Sequence, residues 1–262
     1  MRAAEQIPTL LEALKLPTLA SELVPRFVAA GKQDVLPLLL ECFELEVGDR
    51  RERRIERLRR ASRLPPGKTS ETLDEKRFSR GLQQRLVELE RGDFLDRAVN
   101  VLCFGLPGVG KSHAACAIGH ALVGQGRSVL FVPTYQLVQE LLVAKRDLEL
   151  PRVLKRLDAF DLLILDDIGY VEQAPDEAEV LFTLMAERYE RRSMLITSNL
   201  VFSQWERIFR NPMTTAAAID RLVHHSVILE FDVPSFRTDD AKKRKSADDP
   251  PAPRPKKTAN AE

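Results

Sequence analysis

The chain has 262 residues, 44% of them hydrophobic and 30% charged, with a formal net charge of +1. That is enough for one α/β domain of ordinary size with a sizeable core, plus a smaller unit, and it points to a soluble globular protein. No apolar stretch is long enough to cross a bilayer, and the N-terminus MRAAEQIPTLLEALK lacks the apolar centre of a signal peptide, so the expected setting is cytoplasmic with no membrane partner.

Cys42, Cys103 and Cys116 are widely separated and form no C-x-x-C pair, which argues against a zinc site or a disulfide framework and for three buried, small apolar residues. The four histidines, His113, His120, His224 and His225, have no carboxylate or cysteine partner at ligand spacing, which favours structural or phosphate-side roles.

In chain order, residues 1–66 read as a small all-helical N-terminal domain, with Leu36, Leu39, Leu40, Phe43 and Leu45 as apolar groups and Pro65-Pro66-Gly67 as its end. Between Arg50 and Arg63 stand eight arginines and two glutamates, a local net of +6. At that density the arginines are expected to surround a helix rather than to form i,i+4 ion pairs, and such a helix repels itself without a polyanion. Two readings follow. Guanidinium forks suit phosphates, and neutralising several of them releases counterions, so Arg50, Arg53, Arg54, Arg57 and Arg60 are candidates for nucleic-acid binding. The other reading is a solvated helix with Glu52 and Glu56 as partial partners.

Residues 67–92 read as a linker with a short helix around Leu82 to Leu89, and residues 93–238 as a nucleotide domain. The latter opens with the strand-like run Val99 to Phe104. Gly105-Leu106-Pro107-Gly108-Val109-Gly110-Lys111-Ser112 follows and fits G-x-x-x-x-G-K-[ST] at every fixed position; the Ala-rich helical stretch Ser112 to Val123 comes next. Glycines let the backbone curl so that consecutive N–H groups face phosphate oxygens at the positive end of a helix. The binding set is Gly105, Pro107, Gly108, Val109, Gly110, Lys111, Ser112 and His113. Lys111 is expected to reach the β- and γ-phosphates, and Ser112 to give its hydroxyl to magnesium.

Apolar runs at Ser128 to Pro133, Asp161 to Asp167, Ser193 to Asn199 and Ser226 to Phe231 alternate with helical segments. Continuous apolar strands alternating with helices predict a parallel sheet covered on both faces, a P-loop three-layer α/β/α sandwich. The run LLILDD ends in two carboxylates: Asp166 is the candidate magnesium ligand and Asp167 the group that orients the attacking water. From Asp161 to Val180 there are seven acidic residues and no Lys or Arg, which suits a magnesium site. LITSN ends in Asn199, a candidate hydrogen-bond partner for the lytic water or γ-phosphate. No N-K-x-D sequence is present, which favours ATP over GTP, and an acid pair beside a polar strand tip suits hydrolysis better than transfer to an acceptor. Tyr170 and Trp205 are assigned no base-stacking role, and Phe202 and Trp205, at helical spacing after the strand, are assigned to packing. Residues 239–262 have the basic, Pro-rich composition of a disordered tail.

Four blocks, FGLPGVGKSHAACAIGHALVGQGRSVLFVPTYQLV, DLLILDDIGY, LITSN and AAAIDRLVHHSVILEFDVPSFR, together resemble the IstB-like ATP-binding proteins of insertion sequences, in the DnaC/IstB branch of AAA+ ATPases. The likeness runs from about Ile7 to Arg244. It implies an AAA+-type domain that binds duplex DNA with ATP, oligomerises on it and recruits or stimulates a cognate transposase. Related alternatives are a DnaC-type replicative helicase loader and a nucleotide-gated scaffold with negligible hydrolysis. By the resemblance Gly105, Gly108, Gly110, Lys111 and Ser112 match the Walker A loop, Asp166 and Asp167 the Walker B acids, and Asn199 the sensor. Arg221 matches the arginine finger that completes a neighbour's site; Arg237 is a second, weaker phosphate-sensing candidate. Asp167 stands where most AAA+ proteins carry Glu, and its shorter reach implies slow ATP hydrolysis; the finger supplied by a neighbour implies that hydrolysis depends on assembly, and Ser112 with Asp166 that it depends on magnesium.

Overall fold

The computed structural model describes residues 2–169, 174–209 and 211–236; Tyr170, Arg237 and the tail 239–262 lie outside the described residues. The five apolar runs become five strands, β1 (Asn100–Gly105), β2 (Val129–Pro133), β3 (Leu162–Ile168), β4 (Ser193–Ser198) and β5 (Ser226–Phe231). They form one sheet in the order β2-β3-β4-β1-β5, parallel at every pairing. Because successive side chains on a strand point to opposite faces, Val101 and Cys103 enter one core and Leu102 and Phe104 the other.

Helix α5 (Lys111–Gly124) covers the first face, where Ala115, Ile118 and Leu122 meet Cys103 and Ile164. The opposite face carries α6 (Thr134–Arg146), α7 (Leu150–Asp158), α8 (Pro175–Arg188), α9 (Glu206–Phe209) and α10 (Pro212–Val223), packed over Leu102, Leu163 and Leu165. The result is the expected three-layer α/β/α sandwich. Trp205 is fully buried in this second core with its indole N–H on Leu200 O, and Phe202 packs beside it, so both are packing groups.

Ahead of the sandwich come α1 (Arg2–Ala13), α2 (Pro17–Ala29) and α3 (Leu36–Ser62). Prolines in the first turns of α2 and α3 suit positions whose N–H has no helical partner. Ile7, Leu11, Leu14 and Leu36 are buried among Phe27, Leu40 and Phe43 as a small separate core. Helix α3 runs unbroken for 27 residues and stops where Arg63 turns left-handed, just before the paired prolines. Its far end reaches the sandwich: Leu58 and Leu64 join the α5-side core, and Arg54 Nη2 donates to Gly126 O at 3.2 Å.

Residues 67–92 also lie on that core. Two tight turns, Ser70–Thr72 and Glu75–Arg77, lead into α4 (Arg80–Glu90), which starts from a Ser79 cap and buries Leu82, Leu86 and Leu89 with Leu73 and Phe78. Burial pushes the Cys103 and Cys116 thiols up to about 12. Cys42, in contrast, is exposed on α3, which corrects its expected burial: it falls on the face of α3 turned from the small core. Among the described residues no helix is long and apolar enough to cross a membrane.

Candidate nucleotide-binding site

The loop between β1 and α5 takes a path that side chains would block. Gly105 has φ +153°, and a Cβ there would lie 2.6 Å from Phe231 O; Gly110, the cap of α5, has φ +101° and would press on Phe78 at 3.3 Å. Glycine is the residue that allows this turn. The turn delivers the amide end of a 14-residue helix to the cleft. Lys111 is 7% exposed, with Nζ donating to Gly105 O at 2.7 Å and Leu106 O at 2.9 Å, so the ammonium is aimed across its own loop. Val109 is buried beneath the loop, Pro107 is exposed at its tip, and Gly108 O accepts from Phe236 N at 2.9 Å.

A cleft of 330 Å³ opens beside the loop, lined on one wall by Gly108, Gly110, Lys111, Ser112 and His113, and on the other by Lys68, Thr72, Leu73, Asp74 and Phe236. His113 joins the walls, its Nε2 3.0 Å from Thr72 Oγ1 and 3.1 Å from Thr69 O. Burial pulls the His113 imidazole below its usual pKa and favours the neutral ring. The second wall comes from turns with no regular hydrophobic period, and its Phe236 meets Phe78 of the adjoining core edge to face at 6.4 Å.

The acid pair sits on a bulge. Leu165 pairs with Ile196 and Ile168 with Ser198, so Asp166 and Asp167 are opposed by Thr197 alone. A bulge re-aims side chains: Asp166 stays half-buried, while Asp167 takes φ +64° and is exposed. Thr197 Oγ1 donates to Asp166 Oδ1 at 2.7 Å and accepts from Asp167 N at 2.8 Å; Thr134 Oγ1 donates to Asp166 O at 2.9 Å. Thr197 and Thr134 were not singled out in the sequence. For Thr197 the available signal was a hydroxyl near the end of an otherwise apolar strand; Thr134 opens α6 and carried none.

The Cys103 thiol, on the neighbouring strand, lies within the fields of Lys111, which lowers its pKa, and Asp166, which raises it. The phosphate loop and the acid pair thus converge on one edge of the sheet. Asn199 is half-buried beyond Thr197, and its Oδ1 is buried without a hydrogen-bond partner among the described residues. A glycine cradle, a buried lysine, a hydroxyl at Ser112, a fixed carboxylate and an unsatisfied amide oxygen are a donor set that fits a triphosphate and its cation.

Arg221 is not among the residues lining this cleft. Its Nη1 donates to Ala217 O at 3.1 Å, and its guanidinium lies 4.9 Å from the Phe182 ring centre, between α10 and α8. The Arg-rich helix departs from expectation, because it does form ion pairs. Glu46, upstream of the counted window, takes Arg50 at 2.6 Å and Arg53 at 3.7 Å, and Glu56 takes Arg59 at 3.0 Å and Arg60 at 2.9 Å. The hydrogen bonds from Arg50 and Arg60 hold the two carboxyls below their usual pKa. Arg50 also donates to Leu14 O, and Arg53, Glu56, Arg57 and Arg60 line one shallow groove. Exposed pairs of this kind are screened by solvent and hold the arginines only weakly.

Comparison with known proteins adds relatives to this geometry. Residues 9–246 match the family described as IstB-like ATP binding protein. An insertion sequence ATP-binding protein of Sinorhizobium fredii, y4iQ/y4nD/y4sD, is 44% identical over 232 residues, covering 87% of this chain and 78% of its own. The insertion sequence IS21 ATP-binding protein of Pseudomonas aeruginosa is 35% identical over 241 residues, covering 91% of each. Among solved structures, AMPPCP-bound DnaA from Aquifex aeolicus aligns with a TM-score of 0.54 over 71% of this chain and 57% of that one, at 16% identity, a likeness of fold alone. With a family match over most of its length, and a parallel sheet that carries the phosphate loop and acid pair on one edge, the chain belongs to the IstB-like ATP binding proteins, within the AAA+ fold.

Proposed function

We propose that this protein is an ATP-dependent, duplex-DNA-binding AAA+ ATPase that assembles on DNA and recruits or stimulates the transposase of its insertion sequence. The observation that carries the reading is the division of the site: Lys111, Ser112, Asp166, Asp167 and Asn199 share one sheet edge, while Arg221 rests on Phe182 away from its own cleft. A guanidinium absent from the chain's own site is what hydrolysis completed by a neighbouring subunit requires.

Lys111 would turn from its loop carbonyls to the β- and γ-phosphates, and Ser112 and Asp166 would hold magnesium, which would supply charge neutralisation at the phosphates. Asp167, exposed on its bulge, orients the attacking water, and Asn199 Oδ1 accepts a hydrogen bond from it. On α3, Arg50, Arg53, Arg54, Arg57 and Arg60 contact the DNA backbone without reading sequence.

Mixing separates assembly from catalysis. Lys111→Ala and Arg221→Ala are each expected to be inactive alone and to regain part of the wild-type rate together on duplex DNA, since one supplies the loop and the other the arginine. An Arg53→Ala/Arg54→Ala/Arg57→Ala variant should flatten the dependence of log K on log salt by about 2.7, roughly 0.9 per lost phosphate contact. Normal ATP binding with duplex DNA ignored at low salt would turn the reading to a helicase loader or a nucleotide-gated scaffold.

A further inference from the structure

A second group of ligating side chains lies at the other end of the sheet. Asn100 N at the start of β1 donates to His225 O at 2.8 Å, which places His224 and His225 where the parallel strands begin, opposite the edge that carries the phosphate loop. Glu190 arrives there from the turn between α8 and β4, and Glu190, His224 and His225 each present a ligand atom within 4.8 Å of the others. No spacing rule finds this group, since Glu190 is distant in sequence; it corrects the expectation that these histidines lack a carboxylate partner. His225 Nε2 is 3.9 Å from Glu190 Oε1, and the two imidazole rings lie 4.2 Å apart, tilted by 59°.

Both turns are fixed from below. Buried Arg188 donates to Leu157 O, Phe160 O and Ser193 O, and its own carbonyl accepts from Arg191 N and Arg192 N, which locks the turn that offers Glu190. His224 N donates to Asp220 O, and its Nδ1 lies 3.1 Å from Tyr189 Oη, a contact that sets the ring and leaves Nε2 as its other ligand atom. Glu190 itself holds φ +57°, a left-handed conformation that a Glu adopts at a cost and that a turn alone would assign to Gly or Asn. Asp220, a turn before His224 on α10, brings a negative charge and Arg221 a positive one, both felt at Tyr189.

Two imidazoles and one carboxylate on rigid turns, with an outer hydroxyl orienting one ring, are a zinc-type donor set rather than a magnesium one. We propose that Glu190, His224 and His225 bind one divalent transition-metal ion of the zinc class, with water completing the coordination. The ion ties the α8–β4 turn to the α10–β5 turn. The proposal does not rest on the nucleotide-site reading, so its failure leaves the ATPase reading untouched.

The test is calorimetric titration of the untagged full chain with zinc chloride, nucleotide-free, with thermal melts alongside. Wild type should take up one zinc, undisturbed by excess magnesium, and gain melting temperature. His224→Asn and His225→Asn should each weaken binding by about 100-fold or more, and Glu190→Gln by about 10-fold. Cys42→Ser and Asp166→Asn, which remove the exposed thiol and the carboxylate of the nucleotide site, should bind as wild type does. The metal-free melt of the His224→Asn/His225→Asn double variant should match wild type, since both rings are exposed. Unchanged zinc affinity in that double variant, or no zinc uptake by wild type at micromolar concentrations, would overturn the proposal.

Discussion

Thr197→Val tests whether one hydroxyl holds the acid pair in place. Thr197 is fully buried, and valine keeps its shape while removing both the bond to Asp166 Oδ1 at 2.7 Å and the bond from Asp167 N at 2.8 Å. A hydrogen bond to a carboxylate contributes about 1.5–3 kcal/mol and a neutral one about 1 kcal/mol. Asp167 is exposed and Asp166 half-buried, so water recovers part of that, and the expected cost is about 2–3 kcal/mol. In a chain of this size the melting temperature should fall by about 5–10 °C. Hydrolysis should fall by about 10–100-fold, as when an outer-shell partner of a metal ligand is lost. ATP affinity should change far less, because Lys111 and the loop are intact. Thr197→Ser, which restores the hydroxyl, should recover most of the rate. The checks are circular-dichroism melts, nucleotide titration and phosphate release on duplex DNA. A variant that melts within about 1 °C of wild type and hydrolyses ATP at the same rate would refute the reasoning.

Three further outcomes are expected. Gly48 sits inside α3 with nothing within 4 Å of a built Cβ, so Gly48→Ala should stabilise the protein by about 0.5–1 kcal/mol, and a lower melting temperature would contradict this. Arg188 is 1% exposed, and burial pulls its pKa down to about 10; Arg188→Met strands three carbonyl acceptors and should cost about 3 kcal/mol or more in urea unfolding, an account that a neutral result would sink. His113 has a folded pKa below its ordinary 6.5 because burial disfavours the imidazolium, so its contribution is intact above 6.5 and is lost as pH falls through that value. Between about pH 7.5 and pH 5.5 the melting temperature should therefore drop less in His113→Gln than in wild type, and equal drops would remove His113 from the account.

The sandwich was legible because its signals are local: each strand is a continuous apolar run, and the loop motif fixes what stands before and after it. The boundary of α5 was readable for the same reason, from Ala-rich helical spacing directly after Lys111 and Ser112. What escaped depends on distant partners. Thr197 acquires its role only once a bulge sets two aspartates against it, while Glu46 pairs with Arg50 and Arg53 from just upstream of the arginine-rich stretch. Thr72, Leu73 and Asp74 became a wall of the cleft because Phe78 and α4 anchor that segment on the core, a placement that short turns without periodicity do not announce.

Helix α3 carries one consequence of a mechanical kind. At about 1.5 Å per residue its 27 residues form a rod of roughly 40 Å. Its bearing is at one end, where a Cβ on Gly119 of α5 would lie 2.9 Å from Leu64 just beyond the helix. Because α5 begins at Lys111, this contact links the rod to the helix that opens at the phosphate loop. On a lever of that length, a rotation of about 5° at the contact would displace the Leu36 end by roughly 3.5 Å, with the arginine row and the small N-terminal core on the same arm.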